Sequence, residues 1–372
     1  MSPIDPARIQ HSTGSSPVIL SGLVIGALLG FAMQRGRFCV TGAFRDVWLA
    51  KQSRWLTAFF VTIAVQSVGV FALDAAGVIE LGGGAFPWLA AILGGLVFGF
   101  AIVYAGGCAT GTYYRAGEGL IGSWIALGGY ALSAAIMKHG PGAPLVDALR
   151  GVQAPVGTVH ELLGVSPWVL VALLVAGTGA ATWHHLRRDA ARPKPVQLPT
   201  RRKGLARILF ERPWNAFATA VVIGVLAIAA FPLSWATGRE AGLGITTPSA
   251  DIVAFLVTGD VELVDWGVML VLGILIGAFI AAKGSGEFRV RVPDARTVLR
   301  STGGGLLMGV GAAIAGGCTI GNAMVGSALF TLQGWTAFAA MLLGTGIAVR
   351  LVFGARRAGS AATAPSPVSV GA

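Results

Sequence analysis

The sequence predicts an all-α integral membrane protein of about nine transmembrane helices plus four shorter, re-entrant or half-spanning helices, arranged as two inverted repeats. Three observations predict it. First, the 372 residues are 55% hydrophobic and only 12% charged, with a mean hydropathy of +0.75. A soluble domain carries about 25% charged residues. A chain this apolar has more apolar side chain than one aqueous core can bury, so it belongs in a bilayer. Second, it holds 55 glycines, and glycine lets membrane helices approach closely. Third, two of its three cysteines sit in the same setting, Ala-Gly-Gly-Cys-x-x-Gly, 210 residues apart.

Nine apolar runs are long enough to cross or nearly cross a bilayer: 17–34, 55–79, 87–105, 120–137, 167–186, 214–235, 265–283, 301–315 and 333–353. The eighth is short and continues into the glycine-cysteine segment. Arg35, Arg37, Arg45, Lys51 and Arg54 follow the first run, and nine Lys/Arg residues fill 187–212 after the fifth. Lys283, Arg289, Arg291, Arg296 and Arg300 follow the seventh, and Arg350, Arg356 and Arg357 the ninth. The positive-inside rule then sets the N-terminus outside and the C-terminus in the cytoplasm. The same distribution accounts for the net charge of +11, so no nucleic-acid partner is expected. No basic stretch precedes the first apolar run, so the N-terminus does not read as a cleaved signal peptide.

Aligning 94–111 with 304–321 without a gap gives nine identities in eighteen positions, ending in Gly-Gly-Cys-x-x-Gly. The expected division is an N-terminal extracytoplasmic segment (1–16), a first membrane repeat (17–137), and an outer loop, connector helix and basic cytoplasmic loop (138–213). A second repeat (214–353) and a disordered cytoplasmic tail (354–372) follow. Five crossings separate matching spans, which inverts the halves, a common plan for transporters with a midplane site. Two further segments, 35–46 and 237–260, are too polar or too short to cross and fit as half-helices. Irregular backbone at membrane depth is tolerated where it lines a cavity, so four broken segments imply an interior path.

The candidate path residues are Cys39, Cys108 and Cys318, with Gly106, Gly107, Gly111, Gly316, Gly317, Thr319 and Gly321 around the paired cysteines. Thr246 and Thr247 stand where the second half would match Cys39, so that half lacks a third thiol. Paired glycines let a ligand approach backbone N–H groups. A half-helix starting there presents unpaired donors and a positive dipole end to an anion. A thiol adds a soft sulfur and a weak S–H donor. The combination suits a sulfur-containing anion. The alternative is packing, since free cysteine is among the most buried residue types.

There is no C-x-x-C and no G-x-x-x-x-G-K-[ST], so neither a thioredoxin-like or zinc site nor a P-loop is expected. No cofactor and no metal is expected. His184 and His185, at the cytoplasmic end of the fifth span, read as interfacial. Ionisable groups near the broken segments are functional candidates: Arg37, Arg45, Asp46, Arg115 and Glu118 in the first half, and Arg239, Glu240, Asp251, Asp260, Glu262 and Asp265 in the second. Tyr113, Tyr114 and Asn322 either line the path or pack.

The stretches "GFAMQRGRFCVTGAFRD", "AGGCATGTYYRAGEG" and "AGGCTIGNAMVGS", in that order on nine spans, resemble the YeeE/YedE family of sulfur-transport membrane proteins. The resemblance implies an hourglass of nine membrane helices and four shorter ones. It implies thiosulfate, or a similar small sulfur anion, passing inward from Cys318 to Cys108 to Cys39 through S–H hydrogen bonds. It further implies a bacterial inner membrane and a cytoplasmic sulfurtransferase or sulfur-carrier protein as recipient. The 187–212 and 138–166 loops are less typical of it. The function expected is import without a covalent step, not enzymatic. The alternatives are a transporter of sulfite, selenite or another sulfur or selenium species, a sulfurtransferase using a Cys persulfide, and a structural subunit with inert cysteines.

Overall fold

The computed structural model describes residues 16–191 and 202–362. Most of the expected N-terminal segment, the middle of the basic loop and the end of the tail lie outside the described residues.

The first half consists of α1 (Ser16–Gly36), α2 (Val40–Leu49), α3 (Arg54–Ala75), α4 (Trp88–Ala105), α5 (Ala109–Gly117) and α6 (Ile121–Lys138). Two short helices, α7 (Ala143–Gly151) and α8 (Val159–Leu163), lead into α9 (Pro167–Ala190). The second half comprises α10 (Ala216–Trp235), α11 (Thr246–Thr258), α12 (Trp266–Ser285), α13 (Ala295–Ala315), a π-helix (Thr319–Gly326) and α14 (Leu332–Ala362). β-structure among the described residues is confined to isolated bridges.

Eight helical segments among the described residues are long and apolar enough to cross a bilayer. They are 18–49, α3, 88–117, α9, α10, α12, α13 and the first 22 residues of α14. This is a multi-pass membrane protein. The sequence expects nine crossings; the difference is α6, an 18-residue helix in which Ser123, Ser133, Tyr130 and Lys138 dilute the apolar run. Its Ala126, Tyr130 and Ala134 are nevertheless fully buried. The last helix also runs to Ala362, into the stretch expected to be disordered.

Small residues set the packing. Side chains on Gly22, Gly26 or Gly30 of α1 would collide in turn with Trp266, Leu270 and Ile274 of α12, so these helices run parallel. Thr62 donates to the Ala220 carbonyl at 3.1 Å, and Gly69 meets Ile228, which makes α3 and α10 parallel. By the same reading α4 runs parallel to α14 (Gly95 at Ala337, Gly99 at Met341) and α6 to α13 (Ala126 at Gly305, Tyr130 at Gly309). The α4–α13 crossing is antiparallel and reciprocal, Gly94 lying against Ala315 and Gly304 against Ala105. Without a hydrophobic drive between helices in lipid, such close contacts supply the association energy.

Helix α9 stands apart. Only Val171 and Thr178 of its residues are buried. Arg54 pairs with Asp189, and His185 approaches Thr57 at 3.2 Å, tying its C-terminal end to α3. The loop between α6 and α9 is folded: Thr158 and Glu161 form a capping box on α8, and bridges join Phe86 to Ala154 and Thr158 to Thr331.

Candidate functional site

Two turns share one backbone course. Helix α4 ends at Gly106 (φ 76, ψ 6) and α13 at Gly316 (φ 75, ψ 12), both left-handed. A second glycine follows, then an extended cysteine, Cys108 (φ −74, ψ 173) or Cys318 (φ −86, ψ −165). Each cysteine is the N-cap of the next half-helix, α5 or the π-helix. A left-handed glycine stops a helix at little steric cost. The new helix then presents its unpaired N–H groups beside the thiol.

Each turn is braced from within its own half-helix. Thr112 Oγ1 donates to the Cys108 carbonyl at 2.8 Å. Asn322 Nδ2 donates to the carbonyls of Ala315 (2.9 Å) and Gly317 (3.0 Å). Gln333 Nε2 donates to the Ala315 carbonyl (2.9 Å) and Asn322 Oδ1 (3.1 Å). Asn322, a candidate lining residue, is thus engaged in holding the turn. Arg150 also lies over Gly316, where an added Cβ would strike its guanidinium, whereas nothing lies within 4 Å at Gly106. Alanine at either glycine should cost about 1–2 kcal/mol for the left-handed backbone. Gly316→Ala should cost more than Gly106→Ala, read as the lower melting temperature in detergent; equal losses would count against the Arg150 contact.

Cys39 is likewise the N-cap of its half-helix, α2, and there the Sγ itself accepts from Gly42 N at 3.4 Å. The corresponding half-helix of the second half, α11, is capped by Ile245 and begins with Thr246 and Thr247. Thr246 accepts from Tyr130 Oη at 2.9 Å, and Lys138 donates to Thr247.

The three thiols lie in succession, Cys108 between Cys318 and Cys39. Cys318 lines a cavity of about 580 Å³, together with Arg239, Glu240, Thr246, Thr247, Gly317 and Gly321. The Thr246 hydroxyl faces Cys318. Thr319, next in the chain, lies near Cys108. An added Cβ on Gly111 would stand 3.4 Å from Cys108 Sγ and 3.9 Å from Cys39 Sγ. Cys108 and Cys318 are fully buried, and Cys39 is half-buried. The buried hydroxyls of Thr41, Thr110 and Thr319 have no hydrogen-bond partner.

The charged candidates divide. Arg37 pairs with Glu118 (2.8 Å) and Glu287 (2.7 Å) beyond Cys39, and Gln34 also donates to Glu287 at 2.8 Å. Burial of Glu287 opposes its ionisation, but Gln34, Arg37 and Arg35 outweigh it and hold the carboxyl below the ordinary glutamate range. Arg115 Nη2 lies 3.6 Å from Cys39 Sγ. In the second half Arg239 pairs with Asp265 at 3.5 Å, and Asp251 with His139 at 2.9 Å. Arg45 and Asp46 pair with one another, and Asp260 and Glu262 are exposed; none of these four meets a thiol. Tyr113 and Tyr114 are buried, Tyr113 bonded to Ser249 at 2.8 Å. The sequence reading missed Tyr130, Ser249, Lys138 and Arg150. A lone tyrosine hydroxyl in an apolar span was the available signal for Tyr130. Arg150 carries none, because it reaches the turn from α7, far from Gly316 in the chain.

The profile of a family described as "Sulphur transport" matches residues 35–347. The chain belongs to the sulphur-transport family. Two relatives align over most of its length and another over about a third of it. Thiosulfate transporter TsuA of Escherichia coli (strain K12) is 53% identical over 336 residues, 90% of this chain and 95% of that protein. TsuA of Spirochaeta thermophila is 31% identical over 341 residues, 88% of this chain and 97% of that one. Probable transporter YedE of Escherichia coli is 34% identical over 127 residues, 34% of this chain and 31% of the relative.

Proposed function

We propose that the chain imports thiosulfate across a bacterial inner membrane. The anion enters the outer cavity, meets Cys318 and the N–H groups at 316–321, passes Thr319 to Cys108, and leaves by Cys39. The thiols act as S–H donors, and no bond to sulfur is made or broken. The observation that carries this reading is the succession of three thiols, each at the start of a half-helix, in a chain half identical to a protein named a thiosulfate transporter. Two inverted repeats are part of the proposal, favoured by the reciprocal helix pairings around the α4–α13 crossing. A cytoplasmic sulfurtransferase or sulfur carrier fits as the recipient.

The test is uptake of ³⁵S-thiosulfate by proteoliposomes, with sulfite and selenite as competitors. Uptake above empty liposomes, resisting both competitors in excess, is expected. Absence of uptake by folded protein would remove thiosulfate as the substrate, and stronger competition by either ion would reassign it. The proposed orientation is tested by reporters fused after Ala362. A fluorescent protein that matures only in the cytoplasm should light up there, whereas an active periplasmic phosphatase at that point would invert the topology.

A further inference from the structure

The inner pair of thiols lies beside a cation that lacks a carboxylate partner. Arg115 is half-buried on α5. Its Nη1 donates to the Gly106 carbonyl, its Nη2 lies 3.6 Å from Cys39 Sγ, and its guanidinium carbon is 5.9 Å from the Tyr114 ring centroid. Among the described residues no carboxylate comes within ion-pair distance of it. Glu118, three positions on, pairs directly with Arg37 and meets Arg115 only at longer range. An uncompensated charge at membrane depth is costly unless something pairs with it. At the same place Gly111 leaves a gap flanked by both sulfurs. Two buried hydroxyls that follow these cysteines in sequence, Thr41 and Thr110, have no partner. The position matching Arg115 in the second half is Val325, so this cation belongs to the inner thiols alone.

Resting on the import reading, we propose that Arg115, Cys39 and Cys108 form one inner station that selects for a divalent sulfur oxyanion. Arg115 takes the sulfonate oxygens, and the two thiols take the terminal sulfur. A guanidinium offers paired N–H donors in a plane, matched to two oxygens of an oxyanion. The thiols by themselves would accept any anion with a terminal sulfur. The guanidinium makes the second charge matter.

The experiment compares thiosulfate with the methanethiosulfonate anion, which keeps the terminal sulfur but has one charge and one oxygen fewer. Transport constants for both are measured in proteoliposomes with wild type, Arg115→Gln and Arg115→Lys. Wild type should prefer thiosulfate. Arg115→Gln should lose about tenfold or more of that preference, the scale of a hydrogen bond to a charged group, and Arg115→Lys should retain part of it. An unchanged ratio in Arg115→Gln overturns the proposal, even if both rates fall together. Wild type that transports no thiosulfate would instead remove the import reading itself. For a variant that does not transport, Cys39 labelling by an anionic against a neutral thiol reagent, with Cys108 and Cys318 replaced by serine, gives the second readout. The anionic-to-neutral rate ratio should fall severalfold in Arg115→Gln; no change overturns the proposal.

Discussion

Cys318→Ala is expected to slow thiosulfate import about 10- to 100-fold, the loss of one hydrogen bond to a charged group. Cys318 is fully buried and lines the cavity, so on the proposed route an anion leaving the cavity passes its thiol. Removing one sulfur from a site this size should cost stability only about 1 kcal/mol, and the protein should elute unchanged on gel filtration. Serine should rescue poorly. Its hydroxyl is a harder, shorter donor, less suited to a polarizable terminal sulfur than a thiol. Import at the wild-type rate by Cys318→Ala would make Cys318 a packing residue, the alternative that its burial alone leaves open.

Asn322→Ala is expected to do as much damage by a different route. The Asn322 amide satisfies the Ala315 and Gly317 carbonyls on either side of Gly316. Without it the buried Gly317 carbonyl loses its side-chain donor, and Gln333 loses its contact with Asn322 Oδ1. Each buried polar group left unpaired costs about 1–3 kcal/mol. Melting in detergent should move down by several degrees, and import should fall although Cys318 is intact. Asn322→Asp retains the shape and the acceptor but cannot donate, so it should resemble alanine. A melting temperature and uptake equal to wild type would show that Gln333 holds the turn unaided.

What could be read from the sequence follows from where its information is local. The apolar runs, the basic loops and the Gly-Gly-Cys repeat are properties of contiguous residues, and seven of the nine expected spans coincide with apolar helices of much the same extent. The eighth, 301–315, begins earlier, at Ala295, because a helix can carry Arg296 and Arg300 in its first turns, which a count of apolar residues leaves out. The fourth is a buried helix too polar to be counted by composition. The half-helices were legible as polar interruptions, and both left-handed glycines as Gly-Gly pairs. The braces were not. Asn322 looks like a path residue until its amide is seen on two carbonyls. Arg150 reaches Gly316 from α7, and Arg115 meets Cys39 across 76 positions of chain. Such pairings are set by the crossing of helices, and no local spacing encodes them.

The most direct measurement is import of thiosulfate labelled separately in its terminal and its sulfonate sulfur, by wild type and by Cys318→Ala. Expected is equal uptake of the two labels by wild type, loss of both together in the variant, and no label left on denatured protein. Uptake of both labels by Cys318→Ala at the wild-type rate would contradict a path through that thiol. Terminal label retained on the protein, released only by a reductant, would contradict passage of the intact anion.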